Sequence, residues 1–148
     1  MNLYIVEDSP HIAQRLVDYL TTASEVCAGV CVLGVAHNLQ SAAAALTEIA
    51  AASHALLLDL HLPDGNGLSL IPRARELNPT IRVVVLTNHN TEANRLHAQR
   101  AGADVFLDKS TDFEQLPSTL ARWKSAQTAV KTNLTNQFRQ ASISSLSL

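Results

Sequence analysis

Short apolar runs in this chain stop at residues that can do chemistry. Leu3 to Val6 ends at Glu7-Asp8, Ala55 to Leu58 at Asp59, Arg82 to Leu86 at Thr87, and Val105 to Leu107 at Asp108-Lys109. Brought together, Glu7, Asp8 and Asp59 repel one another, which raises their proton affinity unless a cation neutralises them. A hard divalent cation, Mg²⁺, suits such a set because it takes oxygen ligands and keeps several waters. The Lys109 ammonium can pair with a carboxylate or a phosphoryl oxygen, and the Thr87 hydroxyl can donate to an oxyanion. An acceptor carboxylate, a metal-binding acid pair, a hydroxyl and a cation make a complete set for phosphoryl transfer, which depends on positioning and charge neutralisation. Singly, each has an ordinary role as a helix cap, solvated turn or surface lysine.

Apolar runs alternate with segments of helical period, which predicts βαβ units on a parallel sheet. Strands are expected at Leu3 to Glu7, Val30 to Ala36, Ala55 to Leu60, Arg82 to Thr87 and Val105 to Asp108. Ser9-Pro10 opens the first helix as N-cap and first helical residue, and Ile12, Leu16 and Leu20 share a face. A second helix is expected over Leu39 to Ala51, with Leu46, Ile49 and Ala50 inward. A third runs from Leu68 to Leu77 with Pro72 confined to its first turn, and a fourth from Thr91 to Ala101 is closed by Gly102. A fifth starts near Asp112 or Phe113. In open α/β sheets the ligand crevice lies at the carboxyl ends of the strands, so chemistry at four strand ends describes one site.

The 148 residues suffice for one domain with a short appendage. A net charge of -2 gives no whole-chain attraction to nucleic acid or membrane. No apolar run approaches the roughly 20 residues of a membrane helix, and no secretory signal precedes Leu3, so a cytoplasmic location is expected. Cys27 and Cys31 have no companion ligands for zinc and read as buried or partly buried free thiols. The six histidines lack metal-ligand spacing and read mostly as surface residues. The segment 126–148 is polar. It reads either as a disordered tail or as the fifth helix continuing to about Phe138, with Leu116, Leu120, Trp123, Val130 and Leu134 in one seam that Gln127 and Gln137 interrupt.

The chain resembles the receiver domain of bacterial two-component response regulators. The resemblance rests on Ile-Val-Glu-Asp ending at Asp8, on Leu-Leu-Asp-Leu-His-Leu-Pro-Asp-Gly-Asn-Gly around Asp59, on Val-Val-Leu-Thr-Asn around Thr87, and on Ala-Gly-Ala-Asp-Val-Phe-Leu-Asp-Lys-Ser around Lys109. It implies a flavodoxin-like (βα)₅ fold over residues 1–125, a doubly wound five-stranded parallel sheet of order 2-1-3-4-5. It also implies that Asp59 accepts a phosphoryl group from a histidine kinase or histidine phosphotransfer protein. Asp8 and Asp59 would hold Mg²⁺, with the backbone carbonyl of His61 as a third ligand and Glu7 helping through water. Thr87 and Lys109 would read the phosphoryl charge, and Phe106 would rotate as a switch. The output face would be the fourth helix, fifth strand and fifth helix, with Arg95, His97 and Arg100, directed at a downstream protein rather than nucleic acid. Ser110 stands where many receivers have proline, so a cis peptide is not assumed there, and Ser24 to Gly34 is a longer connection than usual.

Two other readings compete. The chain resembles receivers joined to helix-turn-helix outputs, so it can be the receiver fragment of a DNA-binding transcriptional regulator. A haloacid-dehalogenase-like Mg²⁺-dependent phosphatase also uses a strand-end aspartate, but it needs a second acid where His61 stands. A dinucleotide-binding enzyme lacks its glycine fingerprint after the first strand.

Overall fold

A computed structural model describes residues 1–22 and 29–145. Five parallel strands, β1 (Asn2–Val6), β2 (Cys31–Ala36), β3 (Ala55–Leu58), β4 (Arg82–Thr87) and β5 (Val105–Asp108), alternate with α1 (Pro10–Thr22), α2 (Leu39–Ile49), α3 (Leu70–Leu77), α4 (Glu92–Ala101) and α5 (Gln115–Ser145). The strands lie in the order β2-β1-β3-β4-β5, and every pairing is parallel.

Alternation along the strands divides the core into two layers. Tyr4, Val6, Leu56, Leu58 and Val83 pack under α2 and α3, whereas Leu3, Ile5, Leu57, Val84, Leu86 and Leu107 pack under α1 and the start of α5. This is the pattern of strands buried on both faces. A smaller cluster of Leu60, Val85 and Ala98 sits beneath α4, with Phe106 against it.

Local signals behave as their chemistry dictates. Ser9 Oγ accepts from the Ile12 amide at 3.3 Å, Thr91 Oγ1 caps α4 through the Asn94 amide at 3.1 Å, and Gly102 ends it at φ +100. Pro72 falls in the first turn of α3, where its missing N–H is harmless.

Several boundaries differ from expectation. β1 stops at Val6 and β3 at Leu58; Glu7 and Asp59 follow directly and still donate their amides across the sheet, while Leu60 turns into the cluster beneath α4. α2 ends at Ile49 in a 3₁₀ turn over Ala50–Ala52. The loop after β3 forms a small antiparallel ribbon, His61–Leu62 with Gly65–Asn66. Residues 109–114 form turns, so α5 begins at Gln115 and then continues to Ser145, past the expected Phe138. Cys31 is exposed rather than buried, since β2 is an edge strand. Cys27, and the first part of the connection expected to be long, residues 24–28, lie outside the described residues. The Lys109–Ser110 peptide is trans. Among the described residues no helix is long and apolar enough to cross a membrane.

Candidate functional site

The in-register ladder brings the four strand ends level. Val6 pairs with Leu58, Leu58 with Val85, and Thr87 with Asp108. One step further, the Glu7 amide donates to Ala36 O at 2.9 Å, the Asp59 amide to Val6 O at 3.0 Å, and the Lys109 amide to Thr87 O at 3.0 Å. Glu7, Asp59 and Lys109 therefore enter one pocket from the ends of β1, β3 and β5, with Thr87 closing β4 between the last two.

Lys109 Nζ sits between two carboxylates, 2.6 Å from Glu7 Oε2 and 2.7 Å from Asp59 Oδ2. The three side chains are 10%, 2% and 7% exposed, so the charges meet in a poorly solvated space. Asp8 lies at the exposed rim. Oxygens of Glu7, Asp8 and Asp59 lie within 4.8 Å of one another, an all-oxygen donor set suited to a hard cation. Asp59 Oδ1 accepts weakly from the His61 amide at 3.4 Å. Thr87 is fully buried, and its Oγ1 accepts from the His89 amide at 3.2 Å, which leaves the hydroxyl proton to donate. The pocket encloses about 270 Å³, with Asn88 on its wall and His61 and His89 at the mouth, their ring centroids 3.7 Å apart.

Burial pushes the Glu7 carboxyl up to about 7, an effect limited by the Lys109 ammonium and reinforced by Asp8 and Asp59. Burial also opposes the charge on Lys109, but the Asp59 and Glu7 carboxylates outweigh it and hold the ammonium above its ordinary value. An unfolded glutamate titrates near 4.3. Between that pH and 7 the folded chain keeps a proton that the unfolded chain has released, so the Glu7 contribution falls as pH rises and is level above 7. Urea unfolding of wild type and Glu7→Gln in chelator is expected to diverge across pH 4.5 to 7. The variant should lack this part of the slope, a difference of up to about 3 kcal/mol.

The site is held from outside by residues whose part was not visible in the sequence. Asp64, in the turn after Asp59, accepts from the Leu39 and Gln40 amides at 2.6 and 2.9 Å, tying the loop to the N-terminus of α2. Those bonds hold its carboxyl below the usual range. The Gly67 amide donates to Leu60 O at 2.8 Å, and a Cβ there would lie 2.0 Å from the Asp59 carbonyl oxygen. Asp108 accepts from the Ser110 hydroxyl and amide at 2.5 and 2.7 Å, which shapes the turn after Lys109 and holds the Asp108 carboxyl down. Only the Pro-Asp-Gly and Asp-Lys-Ser strings, as turn formers, hinted at these anchors.

Phe106 stands apart from the charged pocket. Its ring packs against the cluster under α4 while the Arg95 guanidinium lies over it at 4.8 Å. His97 and Arg100 are exposed on α4.

Residues 3–121 match the family described as the response regulator receiver domain. The chain belongs to that family, and the acidic pocket of Glu7, Asp8 and Asp59 fits its phosphorylation site. Among curated proteins it is similar to the transcriptional regulatory protein CitB of Klebsiella pneumoniae, 30% identical over 87% of this chain and 53% of that protein. It is also similar to MalR of Bacillus subtilis, 29% identical over 90% of this chain and 54% of MalR. The chain thus spans about half the length of these two regulators. A crystal structure of a Burkholderia pseudomallei response regulator with a phosphorylated aspartic acid, calcium ion and citrate aligns with a TM-score of 0.65 at 30% identity, covering 88% of this chain and 74% of that one. A receiver domain from Colwellia psychrerythraea shares the fold with a TM-score of 0.72 at 22% identity, covering 84% of this chain and 98% of its own.

Proposed function

We propose that residues 1–125 form a phosphoacceptor module in which Asp59 receives a phosphoryl group from a histidine kinase or histidine phosphotransfer protein. The observation that carries this reading is the Lys109 ammonium, buried and bonded at 2.7 Å to one Asp59 oxygen, in a pocket that also gathers Glu7 and Asp8. An Asp59 carboxylate oxygen attacks phosphorus, the N–P bond of the phosphohistidine breaks, and its electron pair stays on the donor imidazole, which takes a proton from water. Lys109 orients the carboxylate beforehand and pairs with the phosphoryl charge afterwards. Thr87 donates its free hydroxyl proton to a phosphoryl oxygen. When bound, Mg²⁺ neutralises charge between acids and phosphoryl group. Glu7, Asp8 and Asp59 would hold it, with the His61 backbone carbonyl as a further oxygen donor. The protein is a signalling phosphoacceptor whose phosphorylation and dephosphorylation are self-catalysed.

The added charge, close to two units, draws Thr87 and Lys109 inward and alters the face made by α4, β5 and the start of α5. Phe106, with Arg95 over it, lies on that face and is the relay to a downstream protein target. A second reading is supported by the relatives, of which the chain spans about half: the same module can be the regulatory part of a DNA-binding regulator.

Incubation with acetyl phosphate and Mg²⁺, read by intact mass, is expected to add one phosphoryl group to wild type and none to Asp59→Asn. Equal labelling of both, or no labelling of wild type, would falsify the assignment.

A further inference from the structure

The core-facing stripe of α5 does not stop where the body stops. Leu116 and Leu120 are fully buried and Trp123 packs on the same cluster. At helical spacing the stripe continues through Val130, Leu134 and Phe138, which are 59%, 49% and 73% exposed. Every residue from Thr128 to Ala141 is exposed, so about 20 Å of helix, at 1.5 Å per residue, carries an apolar stripe into solvent. Where the helix leaves the body, a groove of about 350 Å³ opens between it and the loops before β3 and β4, lined by Trp123, Val130, Lys131, His54, Thr80 and Arg82.

Charge says what covers this stripe. All 13 acidic residues precede Gln115, against seven Lys and Arg, whereas α5 carries Arg122, Lys124, Lys131 and Arg139 and no acid. Two bodies repel each other and so do two helices, but the helix of one copy is attracted to the body of another. A parallel pair would put the bodies side by side and Lys131 beside its counterpart. An antiparallel pair separates the bodies and opposes the helix dipoles.

We infer that α5 is a self-association element: two copies pair antiparallel through the exposed part of α5 about a two-fold axis near Leu134. Val130 and Phe138 lie equally far from Leu134, so each Phe138 meets Val130 of the other copy at the mouth of its groove. With about ten residues from each helix plus the groove rim, the interface falls at the small end of specific ones, and the dimer dissociates in the micromolar range. The pairing is independent of phosphorylation, so it stands or falls apart from the role given to Asp59.

Sedimentation equilibrium of the full chain, with and without Asp59→Asn, tests it. A concentration-dependent species of twice 15.9 kDa is expected in both, and its loss in Leu134→Glu, which keeps its helical signal and its phosphorylation. Orientation is read by oxidative cross-linking in a Cys27→Ser, Cys31→Ser background. Gln127 and Ala141 are equidistant from Leu134, so a mixture of Gln127→Cys and Ala141→Cys chains should give the mixed dimer in preference to either homodimer. A monomer at about 100 µM, well above a micromolar Kd, overturns the proposal. So does an unchanged dimer in Leu134→Glu, or cross-linking of Gln127→Cys mainly to itself. Binding of a monomeric chain to phosphatidylglycerol vesicles would reassign the stripe to a membrane surface and equally overturn it.

Discussion

Lys109→Ala is expected to lose about 3 to 5 kcal/mol of stability at pH 8 and much less at pH 5.5. The ammonium is the cation between Glu7 Oε2 at 2.6 Å and Asp59 Oδ2 at 2.7 Å, and neither acid is more than 7% exposed. Removing it leaves two buried carboxylates facing each other without compensation. The molecule can relieve this by keeping a proton on Glu7, already raised to about 7 by burial, and losing Lys109 raises it further. Holding that proton costs more as pH rises, so the defect grows toward alkaline pH. Glu7→Gln in the same chain removes one of the opposed charges, and the double variant should be more stable at pH 8 than the sum of the single losses. Urea unfolding at the two pH values checks both points; equal losses at pH 5.5 and 8 would mean that Lys109 acts by packing alone.

Gly67→Ala should lower stability by about 3 kcal/mol, a fall of roughly 10 °C in Tm, and slow phosphorylation as well. The new Cβ would lie 2.0 Å from the Asp59 carbonyl oxygen and 2.9 Å from Leu58 Cδ1, and the first of these is backbone that no rotamer change can clear. The loop must shift, and Asp59 shifts with it. Gly102→Ala is the control. There the strain comes from φ +100, and the nearest side-chain atom would be 3.5 Å away on Arg75. It should cost about 1 kcal/mol and leave the phosphorylation rate unchanged. Thermal melts and phosphorylation time courses on both variants separate damage to the site from damage to the fold.

The strands and the site were legible for the same reason. Strands buried on both faces must be written as apolar runs, and the residue that ends such a run is polar only when something holds it there, as with Asp59 and Thr87. Pairings across the fold were less legible. Nothing in the spacing of Glu7 and Lys109 says that they meet, because the contact depends on strand order. Asp64 reads locally as a turn former, and its bonds to α2 exist only once β1 and β3 are neighbours. The length of α5 was ambiguous because its residues from Thr128 to Ala141 are all exposed, so periodicity competes with a polar composition that suits a disordered tail equally well. The exposed Cys31 reflects edge position, which the composition of a strand does not state.

The 31 residues of α5 span about 46 Å, whereas a packed body of this size has a radius of gyration near 14 Å. A molecule with such an arm meets far more friction than a sphere of equal mass. Its elution from a sizing column will therefore overstate its mass, and a single copy will travel as though it were a larger particle. The arm also gives each receiver a lever longer than its own radius, so a small tilt of α5 at the sheet becomes a displacement of several ångströms at the far end.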